Sequence, residues 1–191
     1  MSSAASPRAN RGPAAAADNR RALIAAAREV YAQDGLGAPF SAVAKRAGVG
    51  QGSLYRHFPD RTALAVAVFE ANVRELEEHT TPDDRTIDDL LDRVVDQAVV
   101  SSAFIELITA VLHDPRVAPL GARFQAVVSR LVARDRTAGN IGEHIETADV
   151  TMATGMLATE LARADPAQRP AVAARARALF RAAFAPRQSA T

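Results

Sequence analysis

An all-α fold is predicted by three features of this 191-residue sequence. Ala is abundant while Val, Ile and Thr are scattered, and Ala is the strongest helix former. No stretch sustains the two-residue apolar alternation that marks a half-buried strand. Apolar residues recur instead three and four apart, in runs punctuated by Pro and Gly. Hydrophobic residues make up 48% of the chain and charged residues 24%, the balance of a globular domain. No run of 18 apolar residues is present, so no membrane-spanning helix is expected. The absence of Cys excludes disulfides, Cys-ligated zinc and a thiol nucleophile.

Residues 1–17 combine small residues, two Pro and four Ala in a row, with few large apolar groups, and read as a disordered tail without a secretory h-region. A cytoplasmic protein is expected. Arg8 and Arg11 in this tail suit either a solvated segment or a minor-groove arm. The first helix is expected from Asp18, an N-cap residue, to Gly35, with Leu23, Ile24, Ala27, Val30 and Tyr31 forming one stripe. A second covers Phe40–Ala47, with Phe40, Val43, Ala44 and Ala47 on one face. Gly48-Val49-Gly50 makes a tight turn into a third helix, Gln51–Phe58. Pro59-Asp60 ends that helix and caps a fourth, Arg61 to about Glu78, with Leu64, Val68, Val73 and Leu76 inward.

Thr80-Thr81-Pro82-Asp83-Asp84 is the clearest boundary. Beyond it, helices are expected at Ile87–Val100, Ala103–Leu112, Val117–Arg136, Thr147–Ala164 and Pro170–Phe184, nine in all. The predicted organisation is a tail at 1–17, a head at 18–64, a second domain at 65–185 and a tail at 186–191. Charge follows this division. Residues 1–61 hold nine basic and four acidic groups, a net of +5, and the remainder is net −4. A basic end on an acidic body suits a polyanionic partner.

A short helix, a glycine turn and a second short helix form the helix-turn-helix pattern. Ala44 is small where the two helices cross, and Val49 fills the wedge between them. The third helix is too short to be stable alone and must be held by its neighbours, which lets its N-terminal side chains enter a major groove. Gln51 heads that helix and suits bidentate pairing with an adenine edge, at about 1–3 kcal/mol of discrimination, or solvation at a helix start.

The stretch from Phe40 to Leu64, through Lys45-Arg46-Ala47-Gly48-Val49-Gly50-Gln51-Gly52-Ser53-Leu54-Tyr55-Arg56-His57-Phe58, closely resembles the DNA-binding domain of the tetracycline-repressor (TetR) family. Arg21 to Gly35 resembles that family's first helix. The strong match covers about residues 20 to 70 and implies a helix-turn-helix head joined through the fourth helix to a helical ligand-binding and dimerisation domain. It implies DNA contacts from Tyr55, His57 and Arg61 to phosphates, from Gly52 by close approach, and from Ser53 to a base or phosphate, with Ser41, Lys45 and Arg56 as further candidates. Three positions depart from the family pattern. Gly50 replaces a capping Ser, Pro39 a frequent Thr, and Arg61 a Lys.

The second domain shows no catalytic set. Its His residues and His57 are far apart, with no His-Glu-x-x-His, so no metal site and no cofactor are expected. By resemblance, a small apolar or amphipathic effector enters among the fourth to eighth predicted helices. Its candidate lining is Val73, Leu76, Leu91, Val95, Phe104, Ile108, Phe124, Met152 and Met156, with His113-Asp114 either adding polar recognition or capping a helix. The last two helices carry Val150, Met152, Ala153, Met156, Leu157 and Leu161, then Val172, Ala176, Leu179, Phe180 and Phe184, with small Gly155 and Ala158 between. That pattern predicts a homodimeric four-helix interface. The expected protein is a DNA-binding transcriptional regulator, with an operator duplex and a small effector as partners and no enzyme activity or membrane contact. Repression relieved by the effector and its reverse, corepression, are both compatible with the sequence. The rival reading is a helical adaptor that uses the helix-turn-helix for protein contacts.

Overall fold

The computed structural model describes residues 13–35, 37–110 and 115–187, with the side chains of Pro13 and of 99–110 excepted. Among the described residues there are eight helices and no strand: α1 Pro13–Asp34, α2 Phe40–Arg46, α3 Gln51–His57, α4 Arg61–His79, α5 Ile87–Ala110, α6 Ala118–Thr137, α7 Thr147–Arg163 and α8 Arg169–Phe184. The all-α expectation is met, and two boundaries change. Helix α1 begins five residues before Asp18, because Pro13 is tolerated in a first turn and Ala14–Ala17 extend the helix readily. Asp18 lies within the helix and pairs with Arg21 rather than capping. The segments expected at Ile87–Val100 and Ala103–Leu112 merge into α5. Ser101-Ser102 is the only punctuation between them, and Ser costs a helix only a fraction of 1 kcal/mol.

Two cores share α4. The first collects Leu23, Ile24, Ala27, Val30 and Tyr31 of α1, Val43 and Ala44 of α2, Leu54 of α3, Phe58, and Leu64, Ala65, Ala67 and Val68 of α4. It runs past the expected boundary at Leu64, because a continuous helix keeps presenting the same face one turn later. The second core takes Leu76 from the end of α4 and joins α5–α8 through residues such as Leu90, Leu91, Val128, Leu131, Leu157 and Leu161. Helix α1 also packs against α5, so head and body meet along more than the shared helix.

The helix ends explain the turns. Gly35 adopts φ +66° and donates its N–H to the Tyr31 carbonyl at 3.1 Å. The Asp60 side chain accepts from the Ala63 N–H at 2.6 Å, capping α4. Thr86 and Asp89 bond reciprocally at the start of α5. Burial pushes the Asp89 carboxyl up, and the bonds from Thr86 and Arg85 outweigh this and hold it below the usual range. Between α6 and α7, Gly142 donates to the Phe184 carbonyl at 2.8 Å, closing the end of α8 onto the turn. A Cβ at Gly142 would run into the His144 ring, so a side chain there requires that ring to move.

A second seam joins α4 to α6. Arg123 of α6 forks onto Glu77, with Nε at 2.9 Å and Nη2 at 2.5 Å. The Arg123 bond holds the Glu77 carboxyl below the usual range. Arg130 donates to the hydroxyl of buried Thr80 at 3.0 Å. Arg134 reaches the carbonyls of Pro82 and Arg85. Arg130 and Arg134 lie one turn apart and Arg123 two turns earlier, so one face of α6 holds the end of α4 and the loop after it.

Candidate nucleic-acid interface

Helix α3 has seven residues, and Leu54 alone among them is buried. Phe58, its C-cap, adds a second inward anchor at 2% exposure. The turn that delivers α3 is set by Gly48, at φ +65°, where a Cβ is disfavoured, and by the Val49 N–H bonding to the Ala44 carbonyl at 3.0 Å. Val49 is half-buried against the head core. Gly50 caps α3 without a side-chain bond, so the first turn offers its backbone N–H groups outward.

The inward face fixes the outward one. Gln51, Gly52, Tyr55 and Arg56 are exposed, and Ser53 and His57 are half-buried. These six candidates therefore sit on one short helix with its buried side turned to the core. The Tyr55 ring is 52% exposed and rests edge-on against Phe40, 5.5 Å between centroids, leaving much of the phenol at the surface. On α2, Ser41 is half-buried and Lys45 is exposed one turn later.

Arg61 is placed differently from expectation. It is half-buried, and its Nη2 donates to the Ala38 carbonyl at 2.6 Å, tying the start of α4 to the segment before α2. Its charge also draws down the Tyr31 phenol, which burial pushes up more strongly. A guanidinium engaged inside the head acts there as a brace. Other head cations are similarly engaged. Arg46 donates to Glu29 and Gln33 of α1, both at 3.0 Å. Arg20 lies over the Phe58 ring, 5.3 Å from its centroid, and 3.8 Å from Glu70. The net positive charge of the head is thus largely absorbed by internal contacts, while Lys45 and Arg56 stay at the surface beside α3. The support that Arg20 gives Phe58 is absent from the sequence reading. Its trace there is a cation at the edge of the α1 apolar stripe.

Of the expected effector lining, Leu76, Leu91, Val95 and Phe124 come together in the second core. Val73, Leu76 and Leu91 are buried, and Val95 and Phe124 are half-buried against the second core. Met152 and Met156 are 61% and 58% exposed. They cannot line an interior pocket of one protomer, because Val150, Ala153, Leu157 and Leu161 take the inward face of α7. For the same reason those four serve the core and not a partner. The side chains of Phe104 and Ile108, and the whole of His113-Asp114, lie outside the described residues, as do Arg8 and Arg11. Among the described residues, a cavity of about 390 Å³ opens among Thr86, Ile87, Asp135, Asn140, Arg181 and Phe184, none of them an expected lining residue. Among the described residues no group of His, Cys, Asp and Glu is placed to hold a metal, and no helix is long and apolar enough to cross a membrane.

A recognition-type helix held by two inward anchors, on a head that shares one helix with a larger helical body, defines a helix-turn-helix DNA-binding protein of the two-domain type. The family model for bacterial regulatory proteins of the tetR family matches residues 23–68, the span of the head core. A TetR transcriptional regulator from Streptomyces coelicolor has 26% sequence identity, with a TM-score of 0.68 over 88% of this chain and 99% of that one. A TetR regulatory protein from Mycobacterium vanbaalenii, at 24% identity, aligns with a TM-score of 0.65 over 90% and 98% of the two chains. A gamma-butyrolactone receptor shares the fold at 20% identity and a TM-score of 0.57, over 90% of each chain. No curated protein sequence matches. The head matches the tetR-family DNA-binding model, the fold is shared with solved tetR regulators, and the protein is a DNA-binding transcriptional regulator.

Proposed function

We propose that the protein is a homodimeric repressor that reads a palindromic operator with Gln51, Gly52 and Ser53 and leaves it when a small effector binds the body. The observation that carries this reading is the pairing of an exposed α3 edge with an exposed apolar face at the far end of the chain. On α7, Met152, Gly155 and Met156 are exposed, and on α8, Ala178, Leu179 and Ala182 are exposed, with Leu179 at 55%. An apolar face of large and small residues on two adjacent helices suits closure against its own copy about a two-fold axis. Two-fold symmetry sets the half-sites about one duplex turn apart.

Lys45, Tyr55, Arg56 and His57 serve phosphates, and Gln51 serves a base edge. Ser41 is a phosphate contact from α2. Arg61 acts mainly as a brace. The effector is small and apolar or amphipathic, like the ligands that helical bodies of this size enclose. It must favour the released geometry by a few kcal/mol to clear the operator.

Gel shift with the DNA flanking the protein's own coding region tests the reading. Specific retardation is expected, weakening steeply as salt rises. Gln51→Ala is expected to lose preference among duplexes at about 1–3 kcal/mol while keeping most non-specific affinity. Met156→Asp with Leu179→Asp is expected to give monomers in sedimentation and to abolish the shift. Indifference to every duplex, or unchanged preference in Gln51→Ala, overturns the assignment.

A further inference from the structure

Five polar side chains from three helices meet where head and body join. Arg28 of α1 donates from Nη1 to Glu75 Oε1 at 2.8 Å and from Nη2 to Asn72 Oδ1 at 2.5 Å. Arg93 of α5 donates to the other oxygen, Glu75 Oε2, at 3.0 Å. Gln97, one turn along α5, donates to the Asn72 carbonyl at 3.0 Å and to Glu75 Oε2 at 3.4 Å. One carboxylate of α4, that of Glu75, is therefore the shared acceptor for the head on one side and the body on the other.

We propose that Glu75 is a positioning residue for DNA binding: by holding Arg28 and Arg93 at once, it sets the angle at which the head, and with it α3, sits on the body. The residues around it favour a fixed angle. Both guanidiniums and the carboxylate are between a fifth and about a third exposed, so water screens them less than it would a surface pair. Arg28 Nε is buried without a hydrogen-bond partner among the described residues, so Arg28 depends on Glu75 and Asn72. Two cations bound to one carboxylate face each other across it. Removing the negative charge leaves them in repulsion, which drives α1 and α5 apart and not merely loose. The hub lies in α4 between Val68 of the first core and Leu76 of the second.

The chain suits a direct measurement because it has no Cys. Cysteines introduced at exposed Ala32 of α1 and exposed Ala133 of α6 carry spin labels, and labelled chains are diluted into unlabelled protein so that distances within one chain dominate. The parent is expected to give one narrow distance. Glu75→Gln is expected to shift or broaden it with helical content unchanged. Arg93→Gln, which leaves Gln97 as the α5 donor to Glu75, is expected to do so less, and the Glu75→Gln/Arg93→Gln pair, which removes the facing cation as well, is expected to narrow the distribution again. Affinity of Glu75→Gln for a duplex selected with the parent protein is expected to fall about five- to tenfold. A role in stability alone would lower the melting temperature and leave the distance in place. An unchanged distribution in Glu75→Gln overturns the proposal. If that variant does not fold, an unchanged distribution in Arg93→Gln does so. Failure of the parent to bind any duplex would count against the operator reading and leave the distance result standing.

Discussion

The head and the body bury apolar residues in different ways. Among the described residues, six of the fifteen in the head core are Ala, against three of the eighteen in the body core. Small residues let α1, α2 and α3 approach closely, so a seven-residue helix is held by Leu54, Phe58 and the walls around them. The body relies on long helices and large aliphatic side chains, and it meets α4 through the Arg123, Arg130 and Arg134 seam as well as through apolar contact. A close-packed head has few intermediate arrangements available to it, whereas long helices sliding on a partly polar seam have more. A close-packed head and a more adjustable body are thus two styles of packing in one chain.

The harshest test of that contrast is Leu54→Ala. It removes the sole buried side chain of α3 and is expected to cost about 2–5 kcal/mol, with hydrogen-exchange protection lost across α2 and α3 while α6 and α7 stay protected. DNA binding should disappear. Leu157→Ala removes comparable volume from the body and should leave the gel shift of folded protein intact. If the two variants behave alike, the domains are not separable in this way. Gly48→Val places a β-branched residue at φ +65° and is expected to cost about 1–2 kcal/mol, with affinity falling before the melting temperature of the body does. Asp60→Ala deletes the α4 cap and should lower stability by about 1 kcal/mol, read in urea denaturation.

The smallest effect sharpens the body side. Glu77 is held below its ordinary range by Arg123, so its charged form favours the folded state. The sign follows: this stability is present at neutral pH, above the unfolded pKa, and is lost as pH falls through the depressed folded value. Thermal melts from pH 7 to pH 3 should decline on the acid side, and Glu77→Gln should flatten part of that decline. The contribution is that of a partly exposed pair, well short of a core residue.

Most of the head is legible from local spacing. The expected and observed bounds of α2 and α3 differ by one residue, because Pro39, Gly48 and Pro59 act on their immediate neighbours. The inward stripe of α1 is as the spacing predicts, yet its start is not, since Ala14–Ala17 are equally at home in a tail or a helix. What required three dimensions was where each polar group finds its partner. Arg61 matches a phosphate-contacting position in the motif and instead bonds Ala38, 23 residues earlier. Met152 and Met156 read as lining because α7 is apolar on more than one face. Only the packing of Leu157 and Leu161 against the core decides which face turns out. The hub at Glu75 joins residues 47 and 18 positions away along the chain, beyond the reach of any periodicity.

Anchoring α3 by Leu54 and the Phe58 cap has a consequence for engineering. Six of its seven residues contribute no fully buried side chain, so Gln51, Gly52, Ser53 and Arg56 form an interchangeable cassette that can be rewritten without disturbing the chassis. New target preferences are then open to selection from small libraries confined to those four codons.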